Sequence, residues 1–307
     1  MANMKEIKNR INSVRDTQKL TNAMYLIAST KLRRAKSELD RTRPYFNALR
    51  AEIKRIFRTA GDVESRYFYP VDESTAPDGV YACLVITADK GLAGSYNQNV
   101  IKKAERLLSQ HPNTRLFVVG EYGRRYFEQH RIPVEQSFLY TAQNPTLRSA
   151  REISALLLEL FDTGAADRIF VVYTDMQGGL EGVARSTRLI PFHRQEFATA
   201  EKDEAAVKEP CEFFPSVEAV LENVMPSYIT GFIYSALVDS FCSEQNARMT
   251  AMDAANRNAE KILGELSGEY NRVRQAAITR EITEISAGAR ARRRQRQKNE
   301  EQEASAP

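Results

Sequence analysis

"MKEIKNRINSVRDTQKLTNAMYLIASTKLRRAK", Met4 to Lys36, sets apolar residues at helical spacing among basic ones, and its continuation decides the fold. Stepping from Met4 by alternating threes and fours meets Ile7, Ile11, Val14, Gln18, Thr21, Tyr25, Ala28, Leu32, Ala35, Leu39, Thr42, Phe46, Leu49, Ile53 and Ile56. Only Gln18, Thr21 and Thr42 on that path are neither apolar nor aromatic. A seam with a period of about 3.5 residues, sustained that far, predicts one long helix with a coiled-coil stripe and little core of its own. Pro44 lies inside it and can kink or break it, because proline removes a ladder hydrogen bond and crowds the preceding turn.

Such a helix needs a partner, and the far end of the chain offers one. From Met252, the positions Ala255, Ala259, Ile262, Leu266, Tyr270, Val273 and Ala277 share a face, and Ile278, Ile282 and Ile285 continue it after a one-residue slip. No proline follows Pro226 until the last residue, so a second helix is predicted from about Ser227 to Arg290. The two chain ends are expected to wind together in opposite directions. Gly264 and Gly268 cost about 1 kcal/mol each relative to alanine and mark places where the helix can bend.

Between the helices the pattern changes. "VYACLVIT", "RLFVVG" and "RIFVVYTDM" are β-branched and aromatic runs, separated by the helical spacings of "NQNVIKKAERLLSQ" and "TLRSAREISALLLELFDTG". This alternation predicts a compact α/β domain with a mainly parallel sheet from about Gly79 to Phe197, followed by the polar connector "ATAEKDEAAVKEP". The predicted class is therefore α/β: an N-terminal coiled-coil helix over 1–60, a Rossmann-like α/β domain inserted at 75–205, a C-terminal coiled-coil helix over 210–290, and a tail over 291–307. In that tail Arg290, Arg292, Arg293, Arg294, Arg296 and Lys298 precede a short acidic run, a composition that predicts a frayed, then disordered, end.

Composition narrows the function. Of 307 residues 42% are hydrophobic, enough for a core, yet no run approaches the roughly 18 to 20 apolar residues of a membrane span. The N-terminus has no apolar signal-peptide core, so the cytoplasm is the expected compartment. Cys83, Cys211 and Cys242 are far apart and form no Cys-x-x-Cys pair, which favours idle thiols over disulfides or zinc. The net charge of +4 is uneven: residues 1–60 carry 15 Lys and Arg against 5 Asp and Glu, so the remainder sums to −6. A basic helix on a mildly acidic body points to an acidic partner, either nucleic acid or the acidic face of another protein.

The turn in "CLVITADKGLAGSYNQN", Cys83 to Asn99, is the sharpest enzymatic lead. A Walker loop ends in Gly-Lys-Ser/Thr, whereas here Lys90 precedes Gly91 and Gly94 and nothing equivalent closes the loop. A dinucleotide site needs Gly-x-Gly-x-x-Gly and an acid ending the second strand, but that strand ends at Gly120. Both glycines are explained as a tight strand-to-helix turn. His111, His130 and His193 have no metal-ligand spacing, and Ser95 lacks the second glycine of a nucleophile elbow. These residues lead to no catalytic, cofactor or metal assignment. In "TKLRRAK", Lys31 and Arg34 share a helix face with Glu38, which reads as a solvated face or as contacts to an acidic protein; no nucleic-acid module or interleaved aromatics accompany them.

Three segments carry a resemblance. The opening stretch resembles the N-terminal helix of the gamma subunits of F-type ATP synthases; "SEQNARMTAMDAANRNA" with "YNRVRQAAITREITEISAGA" resembles their C-terminal helix, and "DKGLAGSYNQN" their D-(R/K)-GLCG-N turn. The resemblance implies a non-catalytic central-stalk rotor that couples ion flow to ATP synthesis or hydrolysis on neighbouring beta subunits. It further implies as partners three alpha and three beta subunits, an epsilon subunit and a membrane c-ring, with no nucleic acid. The place implied is peripheral, on the cytoplasmic side of a bacterial plasma membrane. Carried over position by position, contacts to the catalytic ring fall on Met24, Lys31, Arg33, Arg34, Arg248, Arg274, Gln275, Thr279 and Glu281, in a coupling role without bond-making. Arg280, Ala93 and Thr30 replace the family's usual glutamine, cysteine and serine, and the arginines after Arg290 replace a small, apolar ending that lies in an apolar sleeve. Buried charge there is costly, so the tail is expected to meet a more polar sleeve or to pass through it and touch the top of the ring. A coiled-coil scaffold with a ligand-binding α/β domain, and a basic helix that binds nucleic acid, are the other readings of the pattern.

Overall fold

The computed structural model describes residues 4–60, 65–69, 79–176, 182–193, 197 and 212–304, with side chains for all of these except 58–60 and 295–304. The connector 198–210 and Cys211 lie outside the described residues. In chain order the elements are α1 (Met4–Ala60), β1 (Tyr81–Ile86), α2 (Tyr96–Gln110), β2 (Thr114–Val119), α3 (Glu121–Gln129), α4 (Leu147–Asp162), β3 (Arg168–Asp175), β4 (Val183–Ile190) and α5 (Val217–Ala304). Contacts group them into two compact units, one made of Met1–Met24 with Met252–Pro307 and the other of Tyr25–Ala251.

In the first unit the two chain ends pair. Ile7 and Ile11 pack on Leu266, flanked by Val14, Ile262, Leu263, Tyr270 and Val273. Gln18 donates to Glu260 at 3.5 Å, and the Thr21 hydroxyl donates to Asn256. Rising numbers on α1 meet falling numbers on α5, so the strands of the pair run in opposite directions. The second seam is buried at Met252, Ala259 and Leu266 and bare beyond Val273, where Ile278, Ile282 and Ile285 are 47%, 59% and 67% exposed. The first described residue of α1 is Met4, so nothing described on α1 remains to cover them. Helix α5 continues to Ala304, past the end expected near Arg290. No glycine or proline stands between Gly288 and Pro307, and the Ala, Arg, Gln, Lys and Glu between them are strong helix formers.

The second unit is built on a four-stranded sheet ordered β2-β1-β3-β4. β1 pairs in parallel with β2, Tyr81 opposite Thr114, and with β3, Tyr81 opposite Arg168. β4 runs antiparallel to β3, so the sheet is mixed, with two of its three pairings parallel, in line with the mainly parallel sheet expected. Side chains alternate across a strand, and here both faces are covered, which is why all six residues of β1 are buried. Cys83, Val85, Leu116, Val118 and Val172 pack with α2 residues Val100, Ile101 and Ala104 and with Phe127 of α3. On the opposite face Leu84, Ile86, Phe117, Val119 and Val171 pack with Ile153 of α4, Ile53 and Ile56 of α1, and Ile229, Ile233 and Leu237 of α5. Helix α4 opens with a capping box: Thr146 Oγ1 accepts from the Ser149 N–H at 3.1 Å, and Ser149 Oγ accepts from the Thr146 N–H at 3.2 Å.

Neither internal proline ends its helix. α1 passes through Pro44, and α5 starts at Val217 and passes through Pro226 rather than starting after it. Buried residues on both sides hold each helix together: Leu39 and Ile53 around Pro44, Leu221, Met225 and Ile229 around Pro226. The two helices meet closely at Gly231, where an added Cβ would collide with the Phe46 ring.

Candidate functional site

The turn after β1 is tied down from within. The Thr87 hydroxyl donates to the Val119 carbonyl at 3.0 Å and accepts from the Gly123 N–H at 3.0 Å. The Ala88 N–H donates to Asn97 Oδ1 at 2.9 Å. Asp89 Oδ1 accepts the backbone N–H groups of Glu121 at 3.2 Å and Ala142 at 3.1 Å, while Oδ2 accepts from the Thr141 hydroxyl at 2.6 Å. Glu121 is the first residue of α3, so the helix N-terminus that could hold a phosphate already holds the chain's own carboxylate. Positive φ falls at Leu92 (62°) and Gly94 (54°) and not at Gly91, so of the two glycines in the predicted turn only Gly94 is needed for its backbone conformation.

Open α/β sheets bind ligands beyond the carboxyl ends of their strands, where the strand order switches. Here that place lies between β1 and β3, and α5 fills it. Ser240 Oγ accepts the Thr174 N–H at 3.1 Å. Arg248 Nη1 stands 2.7 Å from Glu244 Oε1, with the side chains 14% and 7% exposed, and Arg248 Nη2 donates to the Gly91 carbonyl at 3.1 Å. Burial raises the Glu244 carboxyl above the usual range, and the Arg248 charge opposes that rise. Burial likewise pushes the Tyr96 phenol up, with the Glu244 charge adding to it. The result is a closed joint between helix and turn.

The other candidate groups are packed too. His111 stacks on Tyr81 at 4.2 Å, His130 on Tyr126 at 4.0 Å and His193 on Tyr69 at 4.9 Å between ring centres. Burial pushes the Cys83 and Cys242 thiols up to about 12, which keeps them as unreactive thiols at neutral pH. Among the described residues no group of three or more His, Cys, Asp or Glu could hold a metal ion.

The residues expected to couple to partners fall in both units. Met24, 38% exposed, ends the first segment of the first unit, and Arg274, Gln275, Thr279 and Glu281 are exposed on the part of α5 beyond Val273. In the second unit Arg33 and Arg34 are exposed and Lys31 is half-buried on α1. Arg248 differs from all of these, because its charge is engaged inside the chain.

The chain matches the family described as ATP synthase over residues 3–291. It is 43% identical to the ATP synthase gamma chain of Caldanaerobacter subterraneus subsp. tengcongensis over 93% of this chain and 98% of that one. The chain belongs to the ATP synthase gamma chain family. The gamma chain of Acetivibrio thermocellus is 41% identical over 94% of this chain and 99% of its own. In fold the chain is similar to a rotor chain of the Euglena gracilis mitochondrial ATP synthase in rotational state 1, with a TM-score of 0.59 at 16% identity, covering 90% of this chain and 98% of that one. Membership places this gamma chain among non-catalytic subunits. The sequence reading passed over Asp89 and Glu244 as structural centres. The signal for the second was present in the acid–base spacing of Glu244 and Arg248, one helical turn apart.

Asp239, one turn before Cys242 on α5, is a further titratable group with a shifted carboxyl. Burial, with the nearby Asp175 charge adding to it and Arg43 opposing both, raises its carboxyl to about 6. A folded-state value above the unfolded one means that the neutral form stabilises fully below about pH 4, and that this contribution is lost as pH rises through 6. At pH 8 the ionised carboxylate then costs about 2 to 3 kcal/mol. Asp239→Asn should therefore be more stable than the parent at pH 8 and equal to it near pH 4, read from urea unfolding at both pH values. An advantage independent of pH would rule out a buried carboxylate as its cause.

Proposed function

We propose that this gamma chain is the central-stalk rotor of an F-type ATP synthase, with its paired chain ends acting as an antiparallel coiled coil and with a Rossmann-like α/β domain. On this reading it turns inside three alpha and three beta subunits, is joined by an epsilon subunit and a c-ring, and sits peripherally on the cytoplasmic side of the plasma membrane. Among the described residues no helix is long and apolar enough to cross a membrane. The observation that carries the reading is the match to gamma chains over nearly the whole length. The bare end of α5 supports it, since exposed Ile278, Ile282 and Ile285 on one helix call for an enclosing surface.

An asymmetric shaft in a ring of three sites contacts each site differently at any instant, and such differential contact is what biases a site towards open or closed. Moving a two-state site from 1:99 to 99:1 takes about 5.5 kcal/mol of differential contact. Charge-assisted hydrogen bonds at about 1.5 to 3 kcal/mol each put that within reach of a few side chains. Lys31, Arg33, Arg34 and the exposed Arg274, Gln275, Thr279 and Glu281 are the groups proposed to supply them, with Met24 in apolar contact. Arg248 belongs to the same set by position, and its effect would be exerted through the turn it holds. The arginines from Arg290 on are proposed to reach the upper surface of the ring.

Native mass spectrometry of the purified assembly tests the reading. One copy of this chain with three copies each of two larger subunits is expected, and a free homodimer would overturn it. Within that assembly, Arg33→Ala with Arg34→Ala should lower ion pumping per ATP hydrolysed severalfold while the chain's own unfolding midpoint stays put, because both side chains are exposed. Unchanged pumping would remove these two residues from the coupling set.

A further inference from the structure

A cavity of about 540 Å³ opens in the second unit between α1, the start of α4 and α5. Its volume falls in the range of small-molecule sites. Its floor is apolar, formed by Ala35, Leu147, Val238 and Phe241, with Tyr234 beside them. Two cations stand on its α1 wall one turn apart, Lys31 and Arg34. Glu38, the remaining charged group of the lining, has Arg41 at 3.5 Å. Lys31 also helps to hold Glu244 ionised, but Glu244 has its own partner in Arg248 at 2.7 Å. An apolar floor below two cations suits a ligand with an apolar body and one anionic head, since the body gains from leaving water and the head finds charge-assisted donors.

We propose that this cavity binds an amphiphilic anion, an alkyl or aryl chain ending in a carboxylate or phosphate, with Lys31 and Arg34 on the head and Val238 and Phe241 against the chain. Binding itself is independent of the rotor reading. Its consequence rests on that reading: an occupied cavity covers two cations proposed to face the catalytic ring, so the ligand would act as a brake.

Decyl phosphate below its micelle concentration is the probe, titrated calorimetrically into the full-length chain. Saturable one-to-one binding is expected, weakened at least tenfold by Lys31→Ala with Arg34→Ala, weakened similarly when decanol replaces the phosphate, and changed less than twofold by Arg33→Ala, which lies on the same helix outside the lining. Ala35→Phe should abolish binding by filling the floor while both charges remain, and unfolding midpoints of all variants are recorded alongside. Absence of saturable binding overturns the proposal, as does an equal loss in Arg33→Ala. Binding to phosphatidylglycerol vesicles without binding to monomeric decyl phosphate overturns it as well, by assigning the cations to a membrane surface. Failure here leaves the assembly's stoichiometry untouched, so the two readings fail separately.

Discussion

Gly120→Ala should unfold the α/β domain or leave it barely folded, with a loss of more than about 3 kcal/mol in urea unfolding of the full-length chain. Gly120 joins β2 to α3 with φ at 95°, a region that side chains rarely enter. A Cβ there would stand 2.7 Å from the Ala88 carbonyl oxygen and closer still to that of Thr87. Both are backbone atoms inside the turn that Asp89 and Thr87 fix, so neither can move aside as the tip of a side chain would. Gly268→Ala is the internal control. It sits in α5 with nothing within 4 Å of an added Cβ, and should gain up to about 1 kcal/mol from helix propensity. Equal, small effects at the two positions would mean that the close approach at Gly120 does not constrain the fold.

The second large effect is expected at Arg248. Removing it leaves Glu244, 5% exposed, as a buried carboxylate without its partner, and opening a buried pair on one side costs about 3 to 5 kcal/mol. Arg248→Ala should therefore destabilise the chain strongly at pH 8, Glu244→Gln less so, and the double variant less than the sum of the two. Because burial raises the Glu244 carboxyl, lowering the pH neutralises it and should shrink the Arg248→Ala penalty. A loss below about 1 kcal/mol at pH 8 would place the weight of Arg248 outside the chain, on a partner surface. This separates Arg248 from Arg33 and Arg34, whose loss should leave the isolated chain's stability alone.

Periodicity alone revealed the long helices. Every position of the seam from Ile7 to Ile56 is buried or half-buried, because a repeat near 3.5 keeps one side of a helix turned the same way over its whole length. Three strands were equally plain, since "YACLVI" and its two neighbours are buried on both faces and read as apolar runs. β4 was not legible: "VARSTRLI" is an edge strand with only its last two residues fully buried, and its arginines and hydroxyls give it the composition of a loop. α3 was missed for a different reason. Gly123 weakens "EYGRRYFEQ" as a helix, and the glycine is there because a Cβ would strike the Thr87 side chain. Pro226 misled in the other direction, since burial on both its flanks outweighed the single hydrogen bond it removes. At the candidate site, the turn was found but its filling was not. Gly91 and Arg248 meet across 157 positions of sequence, and no local pattern records such a contact.

That same separation bears on how the chain is made. The sheet face of Leu84, Ile86, Phe117 and Val171 is closed by Ile229, Ile233 and Leu237, which are synthesised after every strand. At about 5 to 20 residues per second, the nascent sheet stands for several seconds with one apolar face only partly covered. The cover from α1 and α4 has been made by then, and the cover from α5 arrives last. Synthesis from the N-terminus therefore leaves a sticky intermediate whose lifetime is set by the ribosome, and chains that stall before residue 241 are the ones that would aggregate.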